Sequence, residues 1–185
     1  MIDKLINEAK DAVVAGVNGA GDIVNALRST VKDVVTGTFK DADEVTNVAV
    51  GTVASITKGA ITGAVSVGTT AVDAAADVVG ATVKGVSEAG GDLGRAFKSS
   101  VAGVIHGASE TGSDIAQVAV NAVEGAIKAA GDIGADVSEA TEHAVTGAIK
   151  AADEIGDDAG KVVRDALLAS AALPKEIVES AIGKK

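Results

Sequence analysis

The chain has 185 residues, 47% of them hydrophobic, yet only 1% aromatic: Phe39 and Phe97, with no Trp, Tyr or Cys. Its apolar content is mostly Ala, Val and Ile. That excludes a core built on large interlocking side chains, and with no Cys it excludes disulfides and thiolate metal sites. A net charge of −10, from 26 acidic and 16 basic residues, argues against nucleic acid and strongly anionic membranes, since both demand a basic face.

Residues 1–10 read as a lead-in. In Met1-Ile2-Asp3-Lys4-Leu5-Ile6-Asn7-Glu8 the charges fall inside what would have to be the apolar stretch of a signal peptide, so export by that route is not expected. The longest uncharged run, Gly59 to Val72, is interrupted by Thr, Ser and Gly and is short for a bilayer span. The expected location is the cytoplasm, with the periphery of a membrane or granule as the alternative.

From Asp11 the sequence repeats every 22 residues without a gap. One column reads Ala15, Gly37, Gly59, Ala81, Gly103, Gly125, Gly147, Ala169. An aliphatic column reads Val17, Phe39, Ile61, Val83, Ile105, Ile127, Ile149, Ala171, and an acidic one Asp22, Glu44, Ser66, Glu88, Glu110, Asp132, Glu154, Glu176. Each unit is itself two elevens: Asp11, Asp33 and Asp77 precede the acidic column by half a unit. Eleven residues in three turns is close to the α-helical repeat. On a helical wheel the Val, Ile and Ala columns cover an arc of roughly 165°. The repeat domain, residues 11–172, is therefore expected to be all-α: long amphipathic helices from 22-residue (2 × 11) units, packed as a bundle, a coiled assembly or a helical solenoid. A β-solenoid is the rival, because Val45 to Val53 could pass for a strand.

Val45-Thr46-Asn47-Val48-Ala49-Val50-Gly51-Thr52-Val53 and Ile61-Thr62-Gly63-Ala64-Val65 resemble segments of the synucleins and of perilipin repeats. The period is shared with the LEA desiccation proteins. The likeness spans roughly residues 11–172 and is one of period and composition. It implies long amphipathic helices lying on lipid. The lysine column holds only Lys40, Lys84, Lys128 and Lys150, and mean hydropathy is +0.33, well above that of LEA proteins.

Glycine inside a helix costs about 0.8–1 kcal/mol relative to Ala, so something must compensate. A second glycine column, Gly68, Gly90, Gly112, Gly134 and Gly156, falls near the middle of the apolar face on the wheel. Small residues there suit close helix packing. With Ile105, Ile127, Ile149, Ile133 and Ile155 they form the expected self-association face. The alternative is turns, with Gly90-Gly91 and Gly16 to Gly21 as candidates and Gly21-Asp22, Gly91-Asp92 and Gly131-Asp132 as break points.

Little in the sequence points to chemistry. His106 and His143 lie in different columns, and His106 shares the lysine column, which reads as surface. The acid ladder Asp92, Asp114, Asp136, Asp158 reads as a solvated face. Gly16 to Gly21 follows no apolar strand, so phosphate cradling is unsupported. No catalytic group, metal or cofactor is expected. The final stretch, 173–185, is a tail that starts around Pro174.

Two functions compete. The first is a non-enzymatic scaffold, a homo-oligomer joined through its small-residue face into a bundle, tube or filament. The second is a coat on lipid, a droplet or a granule. The wide apolar arc supports coating; the missing aromatics and the negative charge oppose it.

Overall fold

A computed structural model describes residues 2–18, 23–40 and 50–183. Every element in them is an α-helix: α1 (Ile2–Asn18), α2 (Ile23–Lys40), α3 (Val50–Ser66), α4 (Ala71–Glu88), α5 (Leu93–Glu110), α6 (Ile115–Ile133), α7 (Val137–Ile155), α8 (Asp157–Ala169) and α9 (Lys175–Gly183). No strand occurs among the described residues. Of the strand-like segment, residues 50–53 open α3, and 45–49 lie outside the described residues.

The helix starts Ala71, Leu93, Ile115 and Val137 recur every 22 residues. The breaks between helices are written by two local devices. At the C-terminal end a glycine takes the left-handed conformation: Gly68, Gly90, Gly112 and Gly134 have φ between 68° and 92°. The residue after it then bonds back across the last turn. Thr69 N donates to Ala64 O, Gly91 N to Val86 O, Ser113 N to Ala108 O and Ala135 N to Ala130 O, at 2.9–3.0 Å. This satisfies carbonyls that a helix end leaves orphaned. The next residue begins the following helix. Thr70, Asp92, Asp114 and Asp136 are its N-caps, their side chains accepting from Asp73 N, Arg95 N, Ala116 and Gln117 N, and Glu139 N. Removing such a cap costs about 0.5–2 kcal/mol. Asp114, which holds two backbone donors, is expected to show this on replacement by Ala, as a lowered urea midpoint.

The acid ladder is thus a row of caps in three of its four members; Asp158 lies in the first turn of α8. Of the proposed break points, Gly91-Asp92 falls in a turn. Gly131-Asp132 does not: both lie inside α6. Gly21-Asp22 is outside the described residues.

The helices pack in two rows. In one, α3 lies between α1 and α5, and α7 follows α5; in the other, α2, α4, α6 and α8 follow one another. Consecutive helices meet across the rows. Within a row the helices run the same way, since Gly103 and Gly107 of α5 lie on Ala54 and Lys58 of α3 in the same order. The core between the rows is mostly Ala and Val, with Leu27, Ile56, Ile61, Ile105 and Leu167 as the largest wholly buried side chains. A helix flanked in its own row and covered by the other row buries more than a narrow stripe. That accounts for the wide apolar arc on the wheel.

The first two helices sit one turn out of step. From α3 to α5, α4 to α6 and α5 to α7, residues in close approach are 49 apart in sequence (Gly103 and Ala54, Gly125 and Ala76, Gly147 and Lys98). From α1 to α3 they are 53 apart (Gly59 and Ile6, Gly63 and Lys10). The approach of α4 to α2 has the same offset, Gly85 lying on Lys32 O, 53 residues before it.

The far end departs from the pattern. Gly156 alone joins α7 to α8, with φ 159° and ψ 162°. Arg164 of α8 grips Asp153 of α7 with two parallel bonds, 2.8 and 2.5 Å. Pro174 precedes α9 and its carbonyl accepts from Ile177 N and Val178 N. Val178 and Ala181 are buried, and α9 packs on α7. At the other end α1 runs without a break through position 10. No described helix is long and apolar enough to cross a membrane.

Candidate functional site

The residues expected to form a packing face divide three ways. Ile105 is wholly buried; Ile127, Ile133 and Ile149 are half-buried against the core; Ile155, at the end of α7, is 36% exposed. The glycines expected beside them are not on a helix face. Gly68, Gly90, Gly112, Gly134 and Gly156 all sit at helix ends, and a Cβ on any of them would meet nothing within 4 Å. The wheel misplaced them because it ran one continuous helix through the turns; at φ near 70° the chain has left that helix. Gly112→Ala and Gly112→Leu are both expected to destabilise, by about 1–2 kcal/mol, since any Cβ is strained there. Thermal melts of the two variants check this.

Close packing falls to the other glycine column. A Cβ on Gly59 would collide with Ile6 O and lie 2.9 Å from Ala9 Cβ. On Gly103 it would strike Thr57 Oγ1 and Ala54 O; on Gly125 it would lie 2.6 Å from Ala76 Cα and O; on Gly147 it would strike Lys98 O. α3, α5, α6 and α7 are thus each seated backbone to backbone on the helix two before them, a contact only glycine permits, whereas a Cβ on Gly37 of α2 would meet nothing within 4 Å. The wheel put this column near the polar edge. A signal was present in its composition, where only Gly and Ala appear despite the penalty of Gly in a helix interior.

Polar and charged side chains bridge the same neighbours on the outside. Lys84 Nζ meets Asp132 Oδ2 at 2.7 Å and His106 Nε2 meets Glu154 Oε2 at 3.1 Å, each pair 48 residues apart. Lys58 meets Glu110 at 2.5 Å, Lys32 meets Glu88 at 2.8 Å, and Arg28 Nε and Nη2 both reach Asp77 Oδ1. His106 therefore does the work of the lysine column it shares. His143 lies 3.6 Å from Glu139 on its own helix and packs over Gly94 of α5. The hydrogen bond from Lys84, and its charge, hold the Asp132 carboxyl below the usual carboxylate range. The hydrogen bond to Glu88, and its charge, hold Lys32 above the usual lysine value.

These shifts carry opposite signs with pH. A lowered folded value for Asp132 gives stability that is present above the unfolded carboxylate pKa and is lost as pH falls through the folded one. A raised value for Lys32 gives stability that is present below the unfolded lysine pKa and is lost as pH rises through the folded one. In Lys84→Gln, the Asp132 titration followed by carboxyl NMR is expected to move up toward the ordinary range. An unmoved midpoint would contradict the pairing.

The surface hollow of about 300 Å³ along α2, α4 and α6 is floored by Ala76, Gly80 and Gly125 and ringed by these ion pairs. Arg28 and Lys84 pair there with Asp77 and Asp132, and Ser29, Lys32 and Lys128 complete the polar lining. Among the described residues no group of three or more His, Asp or Glu side chains is placed to hold a metal ion. Neither a protein-family model nor a curated protein matches the chain.

Proposed function

We propose that the chain is a non-enzymatic structural scaffold, a helical solenoid of 22-residue units that self-associates through the same small-residue (Ala/Val/Gly) face by which its own helices stack. It works without a cofactor. The observation that carries this reading is the glycine column: Gly59, Gly103, Gly125 and Gly147 each receive a neighbouring backbone in the same way. Helical repeats of this kind form quasi-one-dimensional arrays held by nearest-neighbour contacts. The cytoplasm is the location that fits this role.

The lipid-coat reading has less support. A helix lying on lipid keeps its apolar arc free for acyl chains. Here Val78, Val104, Val123 and Val145 are wholly covered by other helices, so coating would require the array to come apart. Light scattering and circular dichroism in lipid-free buffer test the choice. A helical oligomer is expected. A disordered monomer that turns helical on adding vesicles would replace this reading with the coat. A folded monomer at every concentration would remove the self-association from it.

A further inference from the structure

α2 has two flanks within its row. One meets α4: Arg28 bonds Asp77, Lys32 bonds Glu88, and Val35 lies against Gly85. Helical spacing puts Ile23, Ala26, Thr30, Val34 and Gly37 on the other flank. These five stand 48 positions before Ala71, Ala74, Val78, Thr82 and Gly85, which is two 22-residue units plus the one-turn shift of α2 against α4. On α4 all five are buried, and Gly85 sits on Lys32 O and Val35 of α2. On α2 the chemistry is the same, small or apolar at every position, but among the described residues the cover is only partial. Ile23 is 39% exposed, the other four are half-buried, with Ala26 and Val34 reaching the core on one side, and a Cβ on Gly37 would meet nothing within 4 Å.

The equivalence says what kind of element belongs there. The α4 counterpart of this flank is covered by a helix of the same repeat, seated close enough to need glycine. The neighbouring edge of α1 is charged. Helical spacing puts Lys4, Glu8 and Asp11 on the side of α1 away from α3, and all three are exposed. Lys4 and Glu8 are paired along α1 itself, at 3.5 Å, so an interface on this edge rests on the α2 flank and not on charge.

We propose that this edge is an interface between two copies of the chain, the α2 flank of one covering that of the other about a twofold axis near Thr30. The inference rests on the self-association reading and names its surface. Such a contact is isologous, so a residue near the axis meets its own counterpart. Ala26 and Gly37 let the two backbones approach.

The test uses the full chain, which has no native Cys. Sedimentation of the parent is expected to show a dimer or larger species. Thr30→Arg is expected to weaken association at least tenfold with the helical signal unchanged. If Thr30→Arg loses helix, Ile23→Arg, at an exposed site, gives the same reading. Thr30→Cys under mild oxidant is expected to form a covalent dimer, whereas Val162→Cys, 49% exposed on α8, is not. A parent that associates, with Thr30→Arg associating equally and Thr30→Cys cross-linking no faster than Val162→Cys, would overturn this interface while leaving the self-association reading in place. A parent that stays monomeric at all concentrations would overturn both.

Discussion

Gly147→Ala is expected to destabilise the fold although alanine is the better helix former. In the middle of α7 the exchange should gain about 1 kcal/mol from propensity. The added Cβ, however, would strike Lys98 O and lie 3.0 and 3.1 Å from Lys98 C and Cα. Those are backbone atoms of α5, and no rotamer change moves them away. Relief requires the two helices to part, and overfilling a packed contact costs roughly 1–3 kcal/mol or more. The net result is a loss, larger still for Gly147→Leu. Gly80→Ala is the control: Gly80 is also inside a helix, has ordinary φ, and a Cβ there meets nothing within 4 Å. It should gain roughly 0.5–1 kcal/mol. Urea unfolding of both variants reads the opposite signs. Two variants of equal and raised stability would mean that the helices do not approach as described.

Ile105→Ala should give the other large loss. Ile105 is wholly buried in the middle of α5, and truncating such a side chain costs about 2–5 kcal/mol through lost burial and the cavity left behind. Ile155 belongs to the same expected packing face but ends α7 at 36% exposure. Its replacement by Ala removes less buried surface and leaves no enclosed hole, so a cost below about 1 kcal/mol is expected. The contrast between two isoleucines of one expected packing face measures how far the folded array, rather than the amphipathic pattern alone, sets stability.

What the sequence disclosed and what it hid follow from one fact. A 22-residue period is compatible with an unbroken helix and equally with one helix plus one turn. The helical class, the apolar Ile105 and the surface role of His106 could all be read from the columns. The turns were visible too, but only to a joint reading. Gly112-Ser113-Asp114 and Gly134-Ala135-Asp136 pair a left-handed glycine with a capping carboxylate two residues on, which together stop one helix and start the next. Taken separately, the glycines pass for packing positions and the aspartates for a solvated face. The true packing column was misplaced for the same reason. The wheel averaged over segments whose phase is reset at each turn, so Gly103 and Gly147 landed near the polar edge. The one-turn offset of α1 and α2 has no counterpart in the columns, which run without a gap from Asp11. It is visible only in which residues meet, as Gly59 with Ile6 against Gly103 with Ala54.

The central claim is that the chain folds back at each unit so that α5 and α7 lie side by side. Spin labels on His106→Cys and Glu154→Cys test it most directly, because these two side chains meet at 3.1 Å across the two helices and the chain has no other Cys. In lipid-free buffer the pulsed electron spin resonance distance should be short, set by neighbouring helix axes roughly 8–10 Å apart plus the label arms. A continuous helix through the intervening 48 residues would hold the two sites roughly 72 Å apart, and a distance distribution centred there would contradict the account.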